Sequence, residues 1–86
     1  MPTLGQIIRE KVADGRLPVR EPVKTWAGYG RGQPCSACEL PILAAQAEYE
    51  FEDGDATYRF HIGCYGLWEA ERRRRGGGGT TRDGSP

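Results

Sequence analysis

The spacing of hydrophobic positions changes along the chain, and each spacing predicts a different element. The first apolar positions recur at helical intervals and form one stripe: Leu4, Ile7, Ile8 and Val12. Thr3, with Gln6 three residues later, is typical of a capped helix start, and Gly15 is typical of a helix end. We therefore predict a short amphipathic helix within residues 1–17, whose stripe packs on the core of the same chain or on a partner.

Residues 18–34 follow neither a helical nor an alternating pattern, and they are rich in proline and glycine. We predict an irregular connector here. Trp26 and Tyr29 lie within it, and two interpretations stay open. These side chains either cover a small core or anchor a ligand or partner.

Alternating polar and apolar residues predict a β-hairpin over residues 48–60, with Asp53-Gly54-Asp55 as its turn. Its inner face carries four aromatic residues: Tyr49, Phe51, Tyr58 and Phe60. Its outer face carries three carboxylates: Glu48, Glu50 and Glu52. This acidic face is either a solvated sheet surface or a binding surface.

Helical spacing returns at the end of the hairpin, where Leu67 and Trp68 continue an apolar stripe that we expect to pack with the hairpin aromatics. Arg72 to Arg75 fill the last turn, where positive charge suits the helix dipole, and Gly76 ends the helix. Residues 76–86 are mostly glycine and polar residues, and we predict a disordered tail.

The three cysteines and the single histidine form two pairs on either side of the hairpin: Cys35 with Cys38, and His61 with Cys64. The first spacing suits a tight turn, and the second places both side chains on one side of a helical turn. Three thiolates and one imidazole make the closed, four-coordinate set that structural zinc prefers. We predict one structural Zn²⁺ ion at these four residues; the alternative is a core with buried, metal-free cysteines.

Composition explains why a metal is needed. An apolar content of 37% in 86 residues allows one small domain with a limited core, and zinc binding would add folding energy. We predict a small α+β zinc-stabilised domain, in which residues 35–75 form a treble-clef-like zinc module of knuckle, hairpin and helix. The odd cysteine count, the lack of a long apolar run and the polar start predict a cytoplasmic protein without a membrane span.

The ligand pattern is Cys35-x-x-Cys38 followed by Phe60-His61-x-x-Cys64-Tyr65. It resembles the first zinc-binding half of a LIM domain and is more distantly similar to the nick-sensing finger of poly(ADP-ribose) polymerases, which has a longer gap. The resemblance covers residues 35–68 and implies zinc ligation by the four matching positions, with protein interaction as the role of LIM domains. A LIM domain has a second ligand set after the first, whereas this sequence has none. The whole chain also resembles short bacterial proteins rich in arginine and glycine.

Two functions follow from these patterns. The first is a structural zinc module that acts as a protein-interaction adaptor or regulator, with another protein as its partner. The second is a nucleic-acid-binding finger that uses the basic flanks: Arg9, Lys11, Arg16, Arg20 and Arg72 to Arg75. The middle of the chain is acidic and would repel phosphate. A closed ligand set leaves no position for activated water, so we expect neither enzymatic activity nor a small-molecule substrate.

Overall fold

Two helices and a three-stranded antiparallel sheet form the part of the chain that the computed structural model describes, residues 1–76. The elements are α1 (Leu4–Ala13), β1 (Thr25–Tyr29), β2 (Ala47–Asp53), β3 (Ala56–His61) and α2 (Ile62–Arg75). The strands lie in the order β1-β2-β3. The predicted α+β class is confirmed, and the predicted tail beyond Gly76 lies outside the described residues. No helix in residues 1–76 is long and apolar enough to cross a bilayer.

Helix α1 begins and ends where the sequence predicts. The Thr3 hydroxyl accepts the Gln6 backbone N–H at 3.1 Å, and the Gln6 side-chain oxygen accepts the Thr3 backbone N–H at 2.8 Å. These two bonds satisfy N–H groups that a helix start leaves free. Gly15 follows the helix with a φ of 87°, a conformation that glycine adopts without strain. The apolar stripe packs on the core of the same chain, where Ile8 and Val12 are buried.

The predicted irregular connector contains a strand that the sequence pattern missed. Residues 25–29 form β1 and pair antiparallel with β2, with Trp26 opposite Glu50 and Tyr29 opposite Ala47. The strand is exposed along its whole length, so it lacks the alternation that marks a half-buried strand. Trp26 and Tyr29 are 46% and 74% exposed, and the interpretation that they cover the core is wrong.

The β2–β3 hairpin has the predicted position, and Phe51 and Phe60 face the core as predicted, whereas Glu48 on the opposite face is buried. Asp53 pairs with Ala56, which leaves Gly54 and Asp55 as a two-residue turn. Gly54 has a φ of 63°, and Asp55 is not among the residues with positive φ, as expected for a type II′ turn.

A stack of three fully buried aromatic rings forms the centre of the core. Phe51 and Phe60, from the hairpin, lie with their ring centroids 4.9 Å and 5.5 Å from that of Trp68 in α2. The Trp68 indole N–H donates to the Pro18 carbonyl at 2.8 Å, so the ring is buried without an unpaired donor.

The predicted place of Leu67 in this core is wrong, because the residue is 43% exposed. Helix α2 turns a different stripe inward, formed by Cys64, Trp68, Glu71 and Arg72. Tyr49 and Tyr58 are half-buried at the edge of the core rather than enclosed within it.

Candidate metal centre

The fold brings the four predicted ligands together. One ligand atom from each of Cys35, Cys38, His61 and Cys64 lies within 4.8 Å of all the others. The Nδ1 atom of His61 is 3.4 Å from the Cys38 sulfur and 3.9 Å from the Cys64 sulfur. Neighbouring ligand atoms in a tetrahedral zinc site are about 3.5–3.8 Å apart. The four residues therefore lie close enough to hold a metal ion, and the two histidine–sulfur distances are consistent with zinc.

Backbone hydrogen bonds shape the turn that carries the first cysteine pair, residues 35–40, which we call the knuckle. The Cys35 carbonyl accepts the Glu39 N–H, and the Leu40 carbonyl accepts the Cys35 N–H, both at 2.9 Å. Glu39 has a φ of 68°, which closes the turn. Ser36 donates its N–H to the Arg59 carbonyl at 2.7 Å, so the knuckle is attached directly to β3.

The second pair lies where β3 passes into α2. His61 is the last residue of β3 and the N-cap of α2, and Cys64 lies in the first helical turn. The Nε2 of His61 is 3.2 Å from the Pro41 carbonyl oxygen. Because a carbonyl only accepts, Nε2 carries the proton, and the Nδ1 lone pair faces the cysteines. Such a second hydrogen bond orients histidine ligands in metal sites.

The electrostatics of the cluster favour a bound cation. Burial opposes ionisation of Cys35, but the backbone N–H groups of Cys38, His61 and Ala37 favour its thiolate, and the pKa falls to about 7. Burial, and then the charges of Cys35 and Cys38, raise the pKa of Cys64. Three thiolates together are therefore unfavourable unless a cation compensates their charge.

A buried lysine donates hydrogen bonds to the knuckle, and sequence reasoning missed this contact. Lys11 in α1 is 5% exposed, although the sequence suggests a surface charge. Its ammonium group donates to the carbonyls of Ser36 at 3.1 Å and Ala37 at 2.9 Å, and to Glu39 Oε2 at 2.6 Å. An ammonium group has three donors, and all three are used here. The contact ties α1 to the first half of the metal centre.

The loop after β1 crosses the chain so closely that only glycine fits. A Cβ atom on Gly30 would lie 2.2 Å from the Ile42 carbonyl oxygen and 2.4 Å from that of Leu43. Gly30 is also held by its N–H, which donates to the Gln46 carbonyl at 2.9 Å. This crossing fixes both ends of the segment that contains the knuckle. No feature of the sequence distinguishes Gly30 from the other glycines nearby.

Comparisons of the chain with protein-family models, curated proteins and solved structures found no match. The resemblances to LIM and poly(ADP-ribose) polymerase fingers therefore rest on the ligand pattern and its flanking aromatic residues alone.

Proposed function

We propose that this chain is a structural zinc module of the treble-clef type that acts as a protein-interaction adaptor or regulator. The observation that carries the first part is the convergence of three thiols and one imidazole, supplied by a turn and a helix start, in one cluster. A set of four protein ligands favours a structural metal, because catalytic zinc keeps a position for water.

The metal part of the proposal is tested by removing the ion. We expect one zinc per chain by elemental analysis, loss of chemical-shift dispersion in a strong chelator, and recovery when Zn²⁺ is added. Cys38→Ala should abolish cooperative folding, whereas Leu40→Ser, at a 64% exposed site in the same turn, should not. A chain that keeps its dispersed spectrum in chelator would refute the proposal.

Exposed aromatic side chains on the sheet support the adaptor part of the proposal. Strand β1 carries two large aromatic side chains that the core does not use, and exposed aromatic residues are common anchors of protein interfaces.

The nucleic-acid alternative is weakened by how the basic flanks are used. Each basic residue named for that function lies within 3.9 Å of a carboxylate. Two of them, Lys11 and Arg72, are 5% exposed. Phosphate would have to compete with these internal partners.

Fluorescence anisotropy with labelled single- and double-stranded oligonucleotides tests the nucleic-acid alternative. We expect no saturable binding by the zinc-loaded protein at moderate salt. Tight binding that weakens steeply with salt and with Arg73→Gln, at an exposed site, would favour the alternative.

A further inference from the structure

A small open cavity of about 240 Å³ lies on the outer face of the sheet, opposite the aromatic core. Its main walls come from β1, β2 and the residue after the Gly30 crossing: Trp26, Gly28, Tyr29, Arg31, Glu48 and Glu50. Two carboxylates and an aromatic ring around one cavity make a chemical environment suited to a cation.

Glu48 is the unusual member of this group. The sequence places it on the acidic outer face of the hairpin, yet its side chain is only 6% exposed. Its Oε1 atom has no hydrogen-bond partner among the described residues, and the nearest cation, on Arg31, is 3.9 Å from Oε2. A buried carboxylate oxygen without a hydrogen bond is unfavourable. A donor from outside the chain would relieve this cost.

Basic residues of the chain itself already lie close to the carboxylates and to the Trp26 ring. The Arg31 guanidinium lies 3.5 Å from Glu50 Oε1 and is 68% exposed, so it covers the carboxylates from the solvent side. The Lys24 ammonium lies 5.0 Å from the centre of the Trp26 ring. Arg31 makes no hydrogen bond to either carboxylate, at 3.5 Å and 3.9 Å, and its own end of each pair is exposed to solvent. An incoming basic group could therefore displace Arg31 at little cost.

Gly28 opens a path into the cavity from the side of β1. It lies directly opposite Glu48 in the sheet, and no atom lies within 4 Å of the position that its Cβ would occupy. Any larger residue at this position would place its side chain between the edge of the sheet and Glu48.

The edge of β1 offers backbone groups to a partner. The Gly30 N–H bonds to Gln46, which lies one step beyond the last β1–β2 pair, Tyr29 with Ala47. Antiparallel ladders alternate between bonded and non-bonded pairs, so the N–H and C=O of Ala27 point away from β2. Among residues 1–76, no loop or helix backbone bonds to this edge at Ala27.

We propose that this edge and the cavity together receive an extended segment of a partner protein that carries an arginine or lysine. The segment pairs with β1 as an added strand. Its basic side chain crosses Gly28 and donates to Glu48 and Glu50 in the place of Arg31, beside the Trp26 ring. The inference rests on the proposed adaptor function and specifies the chemistry of its partner.

The test uses the zinc-loaded full chain and a five-residue blocked peptide, Thr-Val-Arg-Val-Thr, followed by ¹H–¹⁵N NMR. We expect saturable shifts at the β1 amides and the Trp26 indole. The same peptide with norleucine in place of arginine should bind at least tenfold more weakly. Equal binding of the two peptides, or no saturable binding of either, would overturn the inference.

Four variants locate the site. Glu48→Gln should weaken binding at least tenfold, whereas Glu52→Gln, which removes the same charge from an exposed position in β2, should change it less than twofold. Gly28→Val should block binding and still fold, because Gly28 does not have positive φ and valine favours strands. Arg31→Ala should bind several-fold more tightly. Equal losses in the Glu48 and Glu52 variants would indicate non-specific attraction and refute the site.

Zinc dependence separates this inference from the function on which it rests. If the fold requires zinc but the peptide does not bind, the inference fails and the zinc-module proposal stands. If the chain stays folded in chelator, the zinc-module proposal fails whatever the peptide does.

Discussion

Replacing Lys11 with methionine removes the ammonium group that braces the knuckle and keeps most of the buried stem. Methionine fills nearly the same volume, so a cavity is not expected to contribute. The change tests whether α1 supports the metal centre through these hydrogen bonds or only through its apolar stripe.

The structure sets the size of the effect. The buried Ala37 carbonyl would lose its charged donor, and a buried acceptor left unpaired costs about 1–3 kcal/mol. The Ser36 carbonyl is partly buried, so water replaces part of what it loses, at about 1 kcal/mol. The Glu39 side chain is 70% exposed, so water solvates its carboxylate when the ammonium group is removed, and this pair adds little to the loss. We expect the free energy of unfolding to fall by about 2–4 kcal/mol.

The assay combines urea unfolding of the zinc-loaded protein with chelator competition for zinc. Because metal binding and folding are coupled, this loss of unfolding free energy should lower the apparent zinc affinity by about 30- to 1000-fold. Arg16→Met is the matched control. Arg16 also pairs with a carboxylate, on Asp14, but both side chains are exposed, and we expect a result indistinguishable from the parent protein.

A Lys11→Met protein with the parent stability and zinc affinity would refute this reasoning. It would mean that the apolar contacts of Ile8 and Val12 alone hold α1 against the metal centre.

Further predictions concern packing. Gly30→Ala should lower stability by about 3 kcal/mol and weaken zinc binding, because its Cβ collides with backbone oxygens, whereas Gly28→Ala should be neutral in urea unfolding. A stable Gly30→Ala protein would show that the crossing can move. Trp68→Ala should cost about 3–5 kcal/mol by thermal unfolding, since it empties the centre of the core. Leu67→Ala should cost about 1 kcal/mol or less, and a larger loss would contradict its exposed placement.

Much of the candidate metal centre could be predicted because its chemistry is local. Only cysteine and histidine supply the preferred zinc ligands here, and both pairs have spacings that one turn satisfies. The capped start of α1 and the alternating hairpin were predictable for the same reason: each depends on residues within a few positions of one another.

The features that the sequence did not reveal depend on distant residues. Strand β1 exists because β2 supplies its hydrogen bonds, not because its own residues alternate. Lys11 is buried because carbonyl groups more than twenty positions later accept hydrogen bonds from its ammonium group. Glu48 is buried, although the alternating pattern places it on the acidic face away from the core. Sequence periodicity describes one element at a time and carries no information on such pairings.

The sequence by itself determined which residues can bind a metal, where the hairpin and both helices run, and which aromatic faces turn inward. Tertiary structure decided that Lys11 of α1 hydrogen-bonds to the knuckle and that a third strand borders the hairpin. It also decided that Glu48 is buried, with one carboxylate oxygen that has no hydrogen-bond partner among residues 1–76. The physical reason is that ligand type and periodicity are properties of neighbouring residues, whereas burial and hydrogen-bond satisfaction depend on the whole fold.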